Sequence, residues 1–418
     1  MSPEFNQLFK NANFLRLWFS QIASQVTINM VNFALIARIF ENTGSSVAVS
    51  FLWITYGLPA LLIGPIVGPL IDLASKRKIL IVTNLLQAVA IFSYHLFKQK
   101  LFPLYTIVFV YSLLDQFYMP AEGASIPYHV PKKLLPVANS LYSLTFQAAL
   151  LFGFALSGPL IVAFGADMPF VLGSILLILA ALSVYKLPKK ENGQRHRSFG
   201  AYWQDLTYGY SYVRHQPFIL FPIILIMGFQ TGFSIIAVIF PSYINDVLHL
   251  AIRDASWVLV IPGGIGALLA AFYILPKVLG SVRKIKVIEL GLLAACACLL
   301  SLGIVVPTLG GIVRSGVASL SAVLGGIAGI LLLVPANTVI QEQTPPSMRG
   351  RIYGSLTFLL TIAVVAPTLL AATISDVVGA QMLVLILATG ALISFFLIKT
   401  KGEGFVNYHL NTLKKGEN

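Results

Sequence analysis

Long apolar stretches separated by short polar connectors run through the whole chain. Because a membrane-spanning helix needs about 20 mostly apolar residues, twelve of these stretches are long enough to cross a bilayer. They lie at 14–40, 47–72, 79–98, 103–128, 137–164, 168–187, 217–245, 255–279, 286–308, 312–342, 352–375 and 379–399. The pattern therefore predicts an all-α membrane protein with twelve transmembrane helices.

The longest polar stretch, 188–216, divides the twelve into two sets of six. We predict a six-helix bundle over 1–187, a central cytoplasmic loop over 188–216, a second six-helix bundle over 217–400 and a cytoplasmic tail over 401–418. Apolar and aromatic residues recur in the loop at steps of three and four, which favours an amphipathic helix on the membrane surface over an ordinary loop. They are Phe199, Tyr202, Trp203, Leu206, Tyr210 and Val213.

The two halves of the chain repeat one another. The connector after the fourth stretch contains Val130-Pro131-Lys132-Lys133, and the equivalent connector of the second half contains Pro346-Ser347-Met348-Arg349. Parallel repeats of this kind are typical of transporters whose site lies at the repeat interface, near the middle of the membrane. The repeat therefore predicts two pseudo-symmetric bundles and a transport function.

Composition supports a membrane location, and charge orients the chain. Of 418 residues, 57% are hydrophobic and 10% are charged, against about 25% charged in soluble domains. The net charge of +13 would favour nucleic acid in a soluble protein, but 23 of the 28 Lys and Arg residues fall on one side of the predicted membrane. Cytoplasmic loops carry such an excess. We expect a cytoplasmic (inner) membrane location, both termini in the cytoplasm and no nucleic-acid partner.

Sequence motifs connect the chain to a known family. The second stretch leads into Gly68-Pro69-Leu70-Ile71-Asp72-Leu73-Ala74-Ser75-Lys76-Arg77-Lys78. This segment resembles the signature Gly-x-Leu-x-Asp-Arg-x-Gly-Arg-Arg/Lys of the major facilitator superfamily, although Leu73 and Ser75 replace a basic residue and a glycine. Three further segments look like the branch that contains macrolide-efflux and enterobactin-exporter proteins: Phe14-Leu15-Arg16-Leu17-Trp18, Thr43-Gly44-Ser45-Ser46 and Arg349-Gly350-Arg351.

The resemblance implies the fold of this superfamily and secondary active transport. In the superfamily the signature loop forms a cytoplasmic gate, which implies gate roles for Gly68, Asp72, Lys76 and Arg77. A solvated carboxylate at the helix end is the alternative for Asp72. The fourth span of the superfamily often carries an arginine for proton coupling, and Tyr111 stands near that position here. A different coupling residue, or a different energy source, is therefore required.

Two acids in the fourth stretch are candidates for proton coupling. Asp115 lies 12 residues after Pro103, about 18 Å into the membrane. A charge at that depth costs about 2.5 to 3.5 kcal/mol and normally faces a cavity or a partner. Glu122 follows two turns later on the same face, so the two acids form a candidate proton relay. The alternative is a structural ion pair, for example between Asp115 and Arg38.

The first stretch carries amides at steps of four, four and three, which place them on one helix face: Gln21, Gln25, Asn29 and Asn32. Amides facing lipid would be unsatisfied. They therefore face either a water-accessible substrate cavity within the protein or neighbouring helices, where they would serve packing. Other candidates for the substrate cavity are Tyr111, Tyr118 and Gln230.

No cluster of catalytic groups, metal-ligand spacing or ATP-binding motif occurs in the sequence. We therefore expect no enzymatic activity, no cofactor and no metal. The sequence favours a monomeric transporter that exports a lipophilic or amphiphilic small molecule, such as a drug, siderophore or metabolite, against protons by alternating access. Its partners would be that substrate, protons and the lipid bilayer. The alternatives are a transport-dead membrane sensor or scaffold, and an importer or lysolipid transporter of the same fold.

Overall fold

A computed structural model describes residues 3–97, 100–188, 211, 214, 216–279, 283–344, 367–368 and 370–413. Helices make up nearly all of these ranges, and no strand occurs within them. The all-α prediction is therefore confirmed.

The first half contains a short helix followed by six long ones. They are α1 (Pro3–Phe9), α2 (Ala12–Thr43), α3 (Ser46–Leu73), α4 (Lys76–Ser93), α5 (Leu101–His129), α6 (Leu135–Phe164) and α7 (Met168–Tyr185). The six long helices correspond to the first six predicted stretches. Helix α1 was not predicted. It forms because Leu8 is fully buried and the ring of Phe9 packs against Trp18, 5.7 Å away between ring centres.

The helices described in the second half are α8 (Pro217–Ser242), α9 (Ile261–Leu269), α10 (Leu275–Leu279), α11 (Lys284–Leu300), α12 (Val306–Thr308), α13 (Gly311–Gln343) and α14 (Ala380–Leu413). Wider π-helical turns interrupt the regular winding at Tyr243–Leu248, Ser256–Val260, Ala270–Ile274 and Ser301–Val305. Helices α9 and α10 therefore belong to one continuous span, Ile252–Val278, and α11 and α12 to another, Lys284–Thr308.

Ten of the described helical stretches are long and apolar enough to cross a membrane. Helix α4 matches the third predicted span, but its 18 residues begin with Lys76, Arg77 and Lys78, which lower its mean hydropathy. Most of the eleventh predicted span, 352–375, lies outside the described residues, as does nearly all of the predicted surface helix, 199–213. With α4 added to the ten, eleven of the twelve predicted spans match a helix among the described residues.

The chain divides into two compact units. Unit 1 comprises Met1–Gly44 and Phe51–Trp203, and unit 2 comprises Ser45–Ser50 and Gln204–Asn418. The first turn of α3 thus belongs to unit 2, where the Asp376 carboxylate accepts hydrogen bonds from the Ser46 backbone N–H at 3.1 Å and the Ser45 hydroxyl at 2.9 Å. The predicted boundaries at 187 and 217 stay predictions, because 189–210 lie outside the described residues.

Helix α2 is the central helix of unit 1. Of the residues in its spanning segment, 83% are buried, whereas in the other candidate spans of this unit the share of buried residues is 22% to 44%. Helix α2 packs against α6 and α7. A Cβ atom at Gly153 of α6 would lie 2.6 Å from the Asn29 Cβ of α2. Glycine at position 153 therefore allows the two helices to approach closely.

Unit 2 contains an even closer helix crossing, between α9 and α13. A Cβ at Gly266 would lie 2.0 Å from the Val323 carbonyl oxygen, and one at Gly326 would lie 1.9 Å from the Gly263 carbonyl oxygen. The two backbones are therefore in direct contact. Outside this seam, large apolar side chains such as Phe272, 65% exposed, form the surface, as a lipid-facing surface requires.

Candidate functional site

Helix α5 carries both candidate coupling acids into the interior of unit 1. Asp115 and Glu122 are each 4% exposed, and Tyr118, between them, is fully buried. Steps of three and four residues place these three side chains on one face of the helix. Among the described residues of unit 1, Asp115 and Glu122 are the buried acids. Their burial requires partners, since an isolated charge in a low dielectric is costly.

Asp115 is held by residues from two neighbouring helices. The Tyr56 hydroxyl of α3 donates to Asp115 Oδ2 at 3.2 Å. Gln87 of α4 lies near the same carboxyl group, and its Nε2 donates to the Tyr111 carbonyl at 3.5 Å. The Ser112 hydroxyl donates to the Tyr56 carbonyl, which ties α3 to α5 beside the acid. Every hydrogen-bond partner identified for Asp115 is therefore neutral.

Glu122 is the end of a hydrogen-bonded chain that crosses three helices. The Tyr118 hydroxyl donates to Glu122 Oε1 at 2.9 Å and lies 2.9 Å from the Ser20 hydroxyl of α2. Asn84 Nδ2 of α4 donates to the Ser20 hydroxyl at 3.3 Å. Since the Tyr118 proton points to Glu122, Ser20 donates to Tyr118. The hydroxyl groups are thus aligned toward the carboxylate.

Arg38 does not pair with Asp115. Its guanidinium binds Asp167 Oδ1 at 2.6 Å and the Tyr94 carbonyl at 3.1 Å, and it lies 4.4 Å from the centre of the Phe170 ring. Among the described residues neither Asp115 nor Glu122 has a salt-bridge partner. The structural ion pair with Arg38, the alternative that the sequence left open, is therefore wrong.

The amides of α2 divide into two groups. Gln21 Nε2 donates to the Tyr142 carbonyl of α6 at 2.9 Å, which is a helix-packing contact. Asn29 Nδ2 donates within its own helix to the Gln25 carbonyl at 2.8 Å. Asn29 is half-buried, whereas Gln25 and Asn32 are 4% and 8% exposed. Gln21 makes the helix-packing contact that the alternative predicts, and a substrate role stays a prediction for all four amides.

The remaining cavity candidates lie in different surroundings. Tyr111 is 5% exposed, and its hydroxyl has no hydrogen-bond partner. Tyr118 belongs to the hydrogen-bonded chain that ends at Glu122, and its hydroxyl donates to the Glu122 carboxylate there. Gln230 is a half-buried residue of α8 in unit 2. Contact with substrate stays a prediction for all three.

Two of the four predicted gate residues are described in detail. The Lys76 ammonium lies 5.7 Å from the centre of the Tyr128 ring of α5. The Arg77 guanidinium donates to the Tyr185 carbonyl and lies 5.2 Å from the centre of its ring, at the end of α7. The basic turn is therefore fixed on two other helices of unit 1. Gly68 and Asp72 belong to α3, but their surroundings lie outside the described residues.

Several site residues were missed in the sequence. Asn84 and Gln87 lie three residues apart in an apolar stretch, and this small polar face was the available signal. Ser20 precedes the run of amides by one position. Tyr56 gave no signal, because an aromatic residue in an apolar stretch is ordinary. Across the described residues, no group of three or more His, Cys, Asp or Glu side chains forms a potential metal site.

Comparisons with known proteins agree with this architecture. The sequence model of the Major Facilitator Superfamily matches residues 17–368. Macrolide efflux protein A of Streptococcus pyogenes is 23% identical over 88% of this chain and 90% of that protein. The uncharacterized MFS-type transporter YfiS of Bacillus subtilis (strain 168) is 23% identical over 78% of this chain and 77% of its own length.

Solved structures share the fold at low sequence identity. The nucleoside transporter NupG superposes with a TM-score of 0.69 at 14% identity, covering 93% of this chain and 98% of that one. A bacterial homologue of the iron transporter ferroportin in an inward-facing state gives a TM-score of 0.68 at 14% identity, covering 93% and 98%. Because these identities are low, the likeness concerns the fold alone.

Proposed function

Since the chain belongs to the major facilitator superfamily, we propose that it is a proton-coupled exporter of a lipophilic or amphiphilic small molecule. Membership makes it a multi-pass membrane transporter of a small molecule and not an enzyme. Beyond what membership gives, the proposal adds proton coupling, export, a monomeric state, the absence of a nucleic-acid partner and a cytoplasmic location of both termini.

The buried, cation-free surroundings of Asp115 carry the proposal. A carboxylate paired with Arg or Lys is held in its charged form. Asp115 has instead Tyr56 and Gln87, both neutral, at about mid-membrane depth. Such a group can exist with or without its proton, and acids inside membranes mark proton pathways by default. Asp115 is therefore the residue that we assign to coupling.

Protonation of Asp115 changes how strongly α3 is attached to α5. The charged carboxylate is the stronger acceptor for the Tyr56 hydroxyl, because hydrogen bonds to charged groups are roughly twice as strong as neutral ones. Proton binding thus weakens one tie between the helices and leaves the Ser112–Tyr56 contact in place. Helix α3 leads directly into the basic turn at Lys76. A proton at Asp115 would in this way shift the population of transport states.

Export and substrate class rest on the relative named for macrolide efflux, which aligns over 88% of this chain. The half-buried amides Asn29 and Gln230 are the first candidates for substrate contact. Gln25, Asn32 and Tyr111 follow. A few polar groups among apolar walls suit an amphiphilic ligand.

The test is a panel of toxic and siderophore-like compounds in cells that lack their own exporters, followed by transport of the positive compounds in proteoliposomes. Wild type is compared with Asp115→Asn and with the control Glu289→Gln. Glu289 is the buried acid described in unit 2, 8% exposed, and pairs with Lys286 at 3.1 Å. We expect Asp115→Asn to lower gradient-driven transport by about tenfold or more and Glu289→Gln to change it by less than about twofold.

Each other outcome assigns a different function. Unchanged transport and pH dependence in Asp115→Asn would contradict proton coupling through this residue. Accumulation of a compound inside the cells would indicate an importer, and transport of lysolipids alone a lysolipid transporter. A folded protein that transports nothing in the panel and in lipid assays would favour a sensor or scaffold.

A further inference from the structure

Three fully buried side chains of unit 1 each have a polar atom without a partner. These atoms are Ser24 Oγ of α2 and Asn84 Oδ1 and Gln87 Oε1 of α4. Leaving such atoms unsatisfied in the interior is costly, and native proteins meet them with bound water. The three atoms therefore point to water inside the unit.

The side chains on α4 that carry two of these atoms are near contacts that lead to the two acids. Asn84 and Gln87 are one turn apart on α4; Gln87 lies near Asp115, and Asn84 begins the chain through Ser20 to Glu122. Ser24 is one turn beyond Ser20 on the same face of α2. Helix α4 thus has one polar residue near Asp115 and one that leads to Glu122.

The two acids are too far apart for direct exchange of a proton. Seven residues of helix separate their backbones by about 10 Å. A proton that moves between them therefore needs intermediate carriers. The other titratable side chains that face them are Tyr56 and Tyr111 near Asp115, and Tyr118 and Tyr142 near Glu122.

We propose that Ser24, Asn84 and Gln87 hold a short file of water molecules through which a proton passes between Asp115 and Glu122. The inference rests on the proposed function, which assigns Asp115 to coupling. It places the proton path inside unit 1 and adds these three residues as positioning residues that hold the water.

The transfer conserves protons and charge. The Asp115 O–H bond breaks and its proton passes to the adjacent water, and each water hands one proton to the next. The last water gives a proton to Ser20, Ser20 gives its own to Tyr118, and Tyr118 protonates the Glu122 carboxylate. Asp115 ends charged and Glu122 neutral. The aligned hydroxyls of Ser20 and Tyr118 already have the required direction.

The direct test observes the water itself. Infrared difference spectra are recorded on a pH step in the purified full-length protein, in ordinary water and in water labelled with oxygen-18. We expect wild type to show O–H stretching bands of internal water that shift with the label, and the double variant Asn84→Leu/Gln87→Leu to lose them. Thr83→Val is the matched control, because Thr83 is buried on the same helix and satisfied by the Ile79 carbonyl at 2.8 Å.

The functional arm separates this inference from the proposed function. The double variant should lose about tenfold in gradient-driven transport while substrate exchange, which moves no net proton, stays within about twofold of wild type. If Asp115→Asn leaves gradient-driven transport unchanged, the proposed function fails. If Asp115→Asn abolishes it but the double variant keeps both transport and the water bands, the water path alone is wrong. Gln87→Met, which keeps length without polar atoms, replaces the double variant where that variant does not fold.

Discussion

In unit 1 the buried side chains include two acids, an arginine and several amides, whereas the described part of unit 2 buries one acid, Glu289, beside its own lysine. Unit 2 brings two helix backbones closer together, at Gly266 and Gly326, than unit 1 does at Gly153. The two halves repeat one another in sequence but differ in the kinds of side chain that they bury. Unit 1 buries ionisable groups and amides, whereas the described part of unit 2 buries mainly apolar groups.

The first helices of the two halves differ in the same way. The spanning segment of α2 is 83% buried, against 22% for the span that contains α8. Helix α2 can therefore contribute polar side chains to an interior network on several sides, as Ser20 and Gln21 do. The comparison shows that buried polar side chains of unit 1 lie around one central helix, and the following predictions test whether they take part in transport.

The largest effect is expected in the packed seam of unit 2. Gly326→Ala places a Cβ 1.9 Å from the Gly263 carbonyl oxygen, which forces α9 and α13 apart. We expect a loss of about 3 kcal/mol or more in unfolding free energy, measured by thermal unfolding of the purified protein. Gly264→Ala is the control, because a Cβ there meets no atom within 4 Å. Equal unfolding temperatures for the two variants would contradict the described seam.

The next effect concerns Glu122 in unit 1. Glu122→Gln keeps an acceptor for the Tyr118 hydroxyl but removes the proton site, so stability should be retained and gradient-driven transport should fall by about tenfold. Transport in proteoliposomes with and without a pH gradient measures this. Glu342→Gln, at an acid whose side chain is 54% exposed, should transport as wild type. A fully active Glu122→Gln would leave Asp115 to act without a relay.

The smallest effect is expected at the tie between α3 and α5. Tyr56→Phe removes the hydroxyl that donates to Asp115 and keeps the ring, so we expect transport to fall by roughly two- to fivefold, as loss of one hydrogen bond implies. Tyr185→Phe is the control, because Arg77 uses the ring and the backbone carbonyl of Tyr185. Transport is measured as a function of pH in both variants. Identical pH profiles for Tyr56→Phe and Tyr185→Phe would contradict a role for Tyr56 in the mechanism.

The helices could be predicted well because the length of an apolar stretch is enough to indicate a span. That Asp115 is an interior residue could also be predicted, because its depth along the span follows from counting residues. Partners between helices could not be predicted this way. Arg38 pairs with Asp167, 129 residues away, and Asp115 with Tyr56, 59 residues away. Such pairs depend on which helices become neighbours and on their rotation, which periodicity within one helix does not determine.

The most direct test of the central claim, that the proton-exchanging acid lies in unit 1, is proton release on substrate binding. The purified protein in weakly buffered solution is mixed with a transported compound from the panel, and the released protons are counted with a pH indicator. We predict release by wild type and by Glu289→Gln, and none by Asp115→Asn. Full release by Asp115→Asn, or its loss in Glu289→Gln, would contradict the account.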